Sequence, residues 1–210
     1  MESIIELAIW ILIGFVCGSV PWAVIVGNLL VRDDVRSIGD GNPGAINAWK
    51  SGGWVPGMIS MTLEIGKGFF PVYFAMQYVG QSSGAVSQAG LALVAFAPIV
   101  GHGWSPFLRF KGGKALAASW GSWIAITGGV AFPVGCLLLG LMHLFQRNHA
   151  ITVTFCLFMF LAVFLPLQIQ PYVFLFWVAN VTVVIYKHRT EYSTGILVRE
   201  WIVRLTRKLA

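Results

Sequence analysis

Seven long apolar runs, separated by short polar or glycine-rich connections, decide what this chain can become. They fall at about residues 4–30, 54–79, 85–100, 115–127, 130–145, 151–165 and 172–186. Hydrophobic residues make up 57% of the chain and charged ones 10%, against the roughly 25% charge of a soluble domain. In lipid, a spanning backbone must satisfy its own polar groups, and long apolar runs do so as helices. The expectation is an all-α, polytopic integral membrane protein: one membrane domain with seven transmembrane helices. The first run lacks a basic leader and outlasts a signal peptide's apolar core, which predicts a retained span.

The placement of charge orients the spans. Every Lys and Arg except Lys67 falls in the 32–50, 109–114 and 146–147 loops or in the tail, residues 187–210. The turns near 81–84, 128–129 and 166–171 carry none. The positive-inside rule then puts the charged loops and the C-terminus in the cytoplasm and the N-terminus outside. Within the tail, residues 196–209 set Ile196, Leu197, Val203 and Leu205 against Arg199, Arg204, Arg207 and Lys208. That pattern predicts an amphipathic helix on anionic lipid. Cys17, Cys136 and Cys156 are scattered through apolar segments and read as small buried hydrophobes. No metal, cofactor or nucleic-acid partner is expected.

The polar residues able to do chemistry share the predicted cytoplasmic face. The densest stretch ends in Lys111-Gly112-Gly113-Lys114. Adjacent glycines let a backbone approach an anion and aim N–H groups at it, while lysines supply charge. A basic loop whose glycines only separate two helices reads equally well. The first polar loop holds Arg36, Asp40, Gly41, Asn42, Gly44, Asn47 and Lys50 on a Gly/Asn/Pro frame, which predicts a turn-rich loop more than a helix. The tail opens with His188, Arg189 and Glu191, and the second loop, from Gly101 to Lys114, also holds His102. Glu64 and Lys67 lie three apart on one face of the second span. They mark either a functional interior or an ion pair near the interface with Lys67 snorkelling. Gly18-Ser19-Val20-Pro21 breaks the first span. His143 reads as a hydrogen-bonded core residue and His149 as a boundary marker.

Together these motifs resemble the bacterial membrane-embedded acyl-phosphate:glycerol-3-phosphate acyltransferase family. Gly18-Ser19-Val20-Pro21 is similar to its Gly-Ser-Ile-Pro, and residues 39–47 to its Gly-Ser-Gly-Asn-x-Gly-Ala-Thr-Asn loop. Glu64 to Val72 is similar to its Asp-x-x-Lys-Gly segment and the Pro-Val that follows. Gly101-His102, Phe107, Phe110, Gly112-Gly113-Lys114 and Ala117 match a longer signature, and His188-Arg189 starts its His-Arg-x-Asn. The departures are Asp40 for Ser, Ile46 for Thr, Lys50 for Arg, Ala115 for Gly and Glu191 for Asn.

The resemblance implies a seven-helix enzyme of the bacterial inner membrane, active at its cytoplasmic face without metal or cofactor. Its partners would be acyl-phosphate, glycerol 3-phosphate or a related phosphorylated acceptor, and membrane lipid. By the same resemblance Asn42, Gly44 and Asn47 would shape a phosphate loop. Lys114 would bind substrate phosphate, with Gly112 and Gly113 donating backbone N–H groups. His188 would sit at the reacting centre or bind glycerol phosphate, and Lys67 would support the site. The two new carboxylates, Asp40 and Glu191, would repel phosphate unless paired with Lys50, Arg36 or Arg189. A diverged paralogue with another acceptor or no activity, and a small transporter or lipid-binding protein, are the alternatives.

Overall fold

The computed structural model describes residues 2–79, 85–164 and 170–209. The turns expected at 81–84 and 166–169 lie outside them, as do the side chains of Leu205, Arg207 and Lys208. The described chain is helical, with no strand and one isolated bridge between Gln146 and Val198. Its helices are α1 (Glu2–Ser19), α2 (Trp22–Val26), α3 (Ala45–Gly52), α4 (Trp54–Val79), α5 (Ala85–Gly103), α6 (Leu116–Ile126), α7 (Ala131–Phe145), α8 (His149–Phe164), α9 (Pro171–Lys187) and α10 (Glu200–Leu209). By length and composition, Ile4–Val31 and Gln88–Leu108 can each cross a bilayer, while α6, α7, α8 and α9 are shorter apolar helices.

The first run is broken where Pro21 lacks an N–H. The freed backbone groups are met by side chains: Lys67 Nζ donates to the Val20 carbonyl (2.7 Å) and Ser105 Oγ to the Ser19 carbonyl (2.6 Å). The Ala23 N–H donates to Glu64 Oε1 (3.1 Å). A break at membrane depth survives because its loose ends are satisfied within the protein.

Small residues set the main helix pairs. A Cβ on Gly18 would strike the Pro98 backbone, and one on Gly101 the Phe15 carbonyl, so α1 and α5 touch backbone to backbone. Gly68 and Gly121 do the same for α4 and α6, against Ala118 and Ile65. Trp123 of α6 is fully buried against Phe160, Phe164 and Phe176, with ring centroids 5.4, 6.1 and 5.1 Å away. Its indole N–H donates to Asn180 Oδ1 (3.0 Å), whose amide donates to Ser119 Oγ (2.7 Å).

Two expectations need correction. The second half of the first loop is not turn but helix α3. The turn-forming residues stop at Gly44, and Asn47 and Ala48 are then buried as the helix packs on α4. The tail helix begins at Glu200, not 196, because residues 196–199 are engaged with the end of α7. Leu197 accepts from the Arg147 N–H (2.8 Å), and Arg199 donates to the Phe145 and His143 carbonyls (each 2.9 Å). The Trp201 indole adds Leu144 (2.9 Å), so the tail satisfies the free carbonyls of α7's last turn.

Candidate active site

The first loop is a small hydrogen-bonded frame. Asp40 Oδ1 accepts from the Asn42 N–H (3.2 Å) and from Asn47 Nδ2 (2.9 Å), which also donates to the Asn42 carbonyl (2.9 Å). Gly41 holds φ +72°, a conformation that favours glycine. Asn42 Oδ1 faces outward and accepts the Lys114 backbone N–H (3.1 Å), tying loop one to loop two.

Gly112 and Gly113 serve this junction. A Cβ on Gly112 would land on the His102 carbonyl, and one on Gly113 would sit between the His102 ring and Asn42. The Gly113 N–H donates to the His102 carbonyl (3.1 Å). It is therefore spent inside the protein, and the expectation that it donates to substrate phosphate is corrected; the pair is needed for close packing.

Lys114 projects from this junction between two carboxylates. Its Nζ pairs with Asp40 Oδ2 and lies 2.5 Å from Glu191 Oε1. The expected partners Lys50, Arg36 and Arg189 are not the ones used. Partial burial pushes the Asp40 carboxyl up, but Lys114 and the Asn42 and Asn47 donors outweigh it and hold it at about 2. Burial pulls the Lys114 ammonium down, and the two carboxylates more than reverse it, so its pKa is raised.

Behind this cluster, Glu64 Oε2 accepts from Lys67 (2.6 Å) and faces His102 Nδ1 (2.9 Å). Both Glu64 and Lys67 are buried, so Lys67 does not snorkel to an interface. They anchor the break in the first run and place Glu64 and His102 on the wall of a cavity.

That cavity, about 800 Å³, joins two environments. Its mouth holds Asp40, Asn42, Asn47, Lys50, Lys114 and Glu191; its shaft is lined by Met61, Trp120, Trp123, Leu139, Leu157 and Phe160. His143 and His149 also line it, beyond the roles expected of them. His188 does not: it is fully buried behind His149, ring centroids 6.1 Å apart. Its Nδ1 faces the Val184 carbonyl (2.8 Å), which assigns the proton to Nδ1 and leaves Nε2 an acceptor. Burial lowers its pKa, so the ring is held neutral.

The structure thus brings Asp40, Asn42, Gly44, Asn47, Lys50, Glu64, His102, Lys114 and Glu191 to one cavity. Gly41, Lys111, Gly112 and Gly113, with Lys187, line a smaller hollow of about 280 Å³ that shares Asp40, Asn42 and Lys114 with the cavity. Arg189 turns away, its guanidinium over the Tyr186 ring at 4.4 Å and bonded to the Tyr186 carbonyl. Arg36 is paired with Asp34. Sequence reasoning missed the shaft and the two lining histidines; their residue types carry no signal apart from their place in the fold.

A family model for glycerol-3-phosphate acyltransferase matches residues 8–196. Glycerol-3-phosphate acyltransferase 1 of Thermotoga maritima is 32% identical over 193 residues, 86% of this chain and 93% of the relative. The glycerol-3-phosphate acyltransferase of Endomicrobium trichonymphae is 33% identical over 205 residues, 95% and 97% of the two chains. Among solved structures, the glycerol 3-phosphate form of PlsY (YgiH), an integral membrane glycerol 3-phosphate acyltransferase, superposes with a TM-score of 0.78 at 24% identity, covering 89% of this chain and 90% of that one. Its lysophosphatidic acid form gives 0.75 at 23%, covering 96% and 92%. These two likenesses are of fold.

Proposed function

The chain belongs to the glycerol-3-phosphate acyltransferase family, and from that premise we propose that it moves a fatty acyl group from acyl-phosphate to glycerol 3-phosphate. The product would be 1-acyl-glycerol 3-phosphate (lysophosphatidic acid). The observation that carries the reading is a single cavity with a lysine- and asparagine-lined mouth opening into an apolar, aromatic shaft. A phosphate head and an acyl tail need those two environments side by side. The charge pattern supports seven spans, with the mouth and C-terminus on the cytoplasmic side of a bacterial inner membrane.

The glycerol hydroxyl attacks the acyl-phosphate carbonyl; the new C–O ester bond forms, the carbonyl–phosphate bond breaks and phosphate leaves. The hydroxyl proton passes to a phosphate oxygen, because His188 is buried away from the cavity. Lys114 and Lys50 hold phosphate, Asn42, Gly44 and Asn47 keep the loop in shape, and Lys67 acts through Glu64. Holding both substrates in one cavity supplies much of the acceleration.

Purified protein in nanodiscs, given labelled glycerol 3-phosphate and palmitoyl-phosphate, is expected to form labelled lysophosphatidate. No product from folded protein would sink the assignment. Equal product from a palmitoyl thioester would overturn the donor.

A further inference from the structure

Lys114, the cation placed to meet a phosphate, is already engaged. An ammonium has three donors. Those of Lys114 point into a gap between Asp40 Oδ2 and Glu191 Oε1, two carboxylates brought together from loop one and the start of the tail. The three side chains are 24%, 47% and 28% exposed (Lys114, Asp40, Glu191), and all three line the cavity, so the cluster is reachable from it. The other cavity-lining lysine is Lys50, whereas Lys67 is taken up by Glu64 and Val20. A phosphate that takes the third donor of Lys114 is flanked by two negative charges within a few ångströms, and one that takes more must displace a carboxylate.

We infer that Asp40 and Glu191 are internal competitors of the substrate phosphate for Lys114, and that this competition sets how tightly the enzyme holds its phosphorylated acceptor. The inference rests on the proposed function. Each carboxylate does two opposing things: it fixes Lys114 at the junction of the loops, and it repels the anion Lys114 is there to bind. Binding then proceeds by partner exchange, with a carboxylate released to water as phosphate arrives. Asp40 has a second duty in the loop frame, through Asn42 and Asn47, so Glu191 is the carboxylate that is free to swing away.

Asp40→Asn and Glu191→Gln test this, since both are isosteric and the D40N amide oxygen still accepts from Asn42 and Asn47. The KM for glycerol 3-phosphate is expected to fall about fivefold to tenfold in each variant and further in the double variant, from removal of a like charge at contact distance. An unchanged or raised KM in both single variants, with protein that still melts cooperatively, would overturn the competition. A binding arm stands apart from catalysis: inorganic phosphate should protect D40N/E191Q from thermal unfolding at a roughly tenfold lower concentration than the native chain. Equal protection would overturn the inference even if acyl transfer were confirmed. A wild-type protein without acyl transfer would sink the proposed function while this arm still reads the competition.

Discussion

Lys67 shows how one buried charge can hold a membrane helix open. It donates to the Val20 carbonyl at the break before Pro21 and neutralises Glu64, which in turn takes the Ala23 N–H. Lys67→Met would leave a buried carboxylate without its cation, a loss of about 3–5 kcal/mol. Thermal unfolding in detergent checks it, and Glu64→Gln added to Lys67→Met should recover part of the loss. At Asp40 the sign of the pH effect follows from its depressed pKa, about 2 against an ordinary 3.8. Its contribution to stability is fully present above about pH 4 and fades as pH falls through about 2. D40N should therefore melt below the native protein at pH 7, with the gap narrowing by pH 3. Residue identity was legible from sequence at both positions. Partner choice was not: Asp40 and Glu191 lie far from Lys114 along the chain, and only folding shows that they meet on it.

At the scale of elements, α6, α7 and α8, with Met61 of α4, build the shaft. Gly135 of α7 faces it: a Cβ there would come 2.9 Å from Trp120 Nε1 and 3.2 Å from Phe160 Cζ. Gly135→Leu should block the deep end, raising the preference for octanoyl- over palmitoyl-phosphate by at least about tenfold in kcat/KM. An unchanged ratio would mean that the acyl chain lies elsewhere. The tail is tied to the same helix, with Arg199 and Trp201 on the last carbonyls of α7, three residues of which include cavity-lining His143. Deleting residues 196–210 should cost activity; full activity after deletion would show that the capping is dispensable. Elements with a simple apolar period were legible from sequence. Helix α3 was not, because Gly, Asn and Pro upstream masked an eight-residue helix whose stability comes from packing on α4.

Over the whole molecule, the first polar loop, Lys114 of the second loop and the start of the tail meet at the cavity. The expected topology predicts that a single cysteine introduced at Lys208, in a chain otherwise free of cysteine, labels with an impermeant reagent only from the cytoplasmic side. Labelling only from the outside would invert the orientation and place the active face wrongly.

The sequence alone determined the membrane class, the helical architecture and the identity of Lys114, Asn42, Asn47 and the Glu64–Lys67 pair. Those follow from hydropathy, charge placement and short motifs, which are local properties of the chain. Tertiary structure decided what each group does. It spent the Gly113 N–H on the His102 carbonyl, sent Arg189 outward, buried His188 behind His149 and closed two carboxylates on Lys114. The reason is physical: a hydrogen bond or ion pair depends on positions within a few ångströms, and residues 74 apart in sequence, such as Asp40 and Lys114, are brought to that distance only by helix packing.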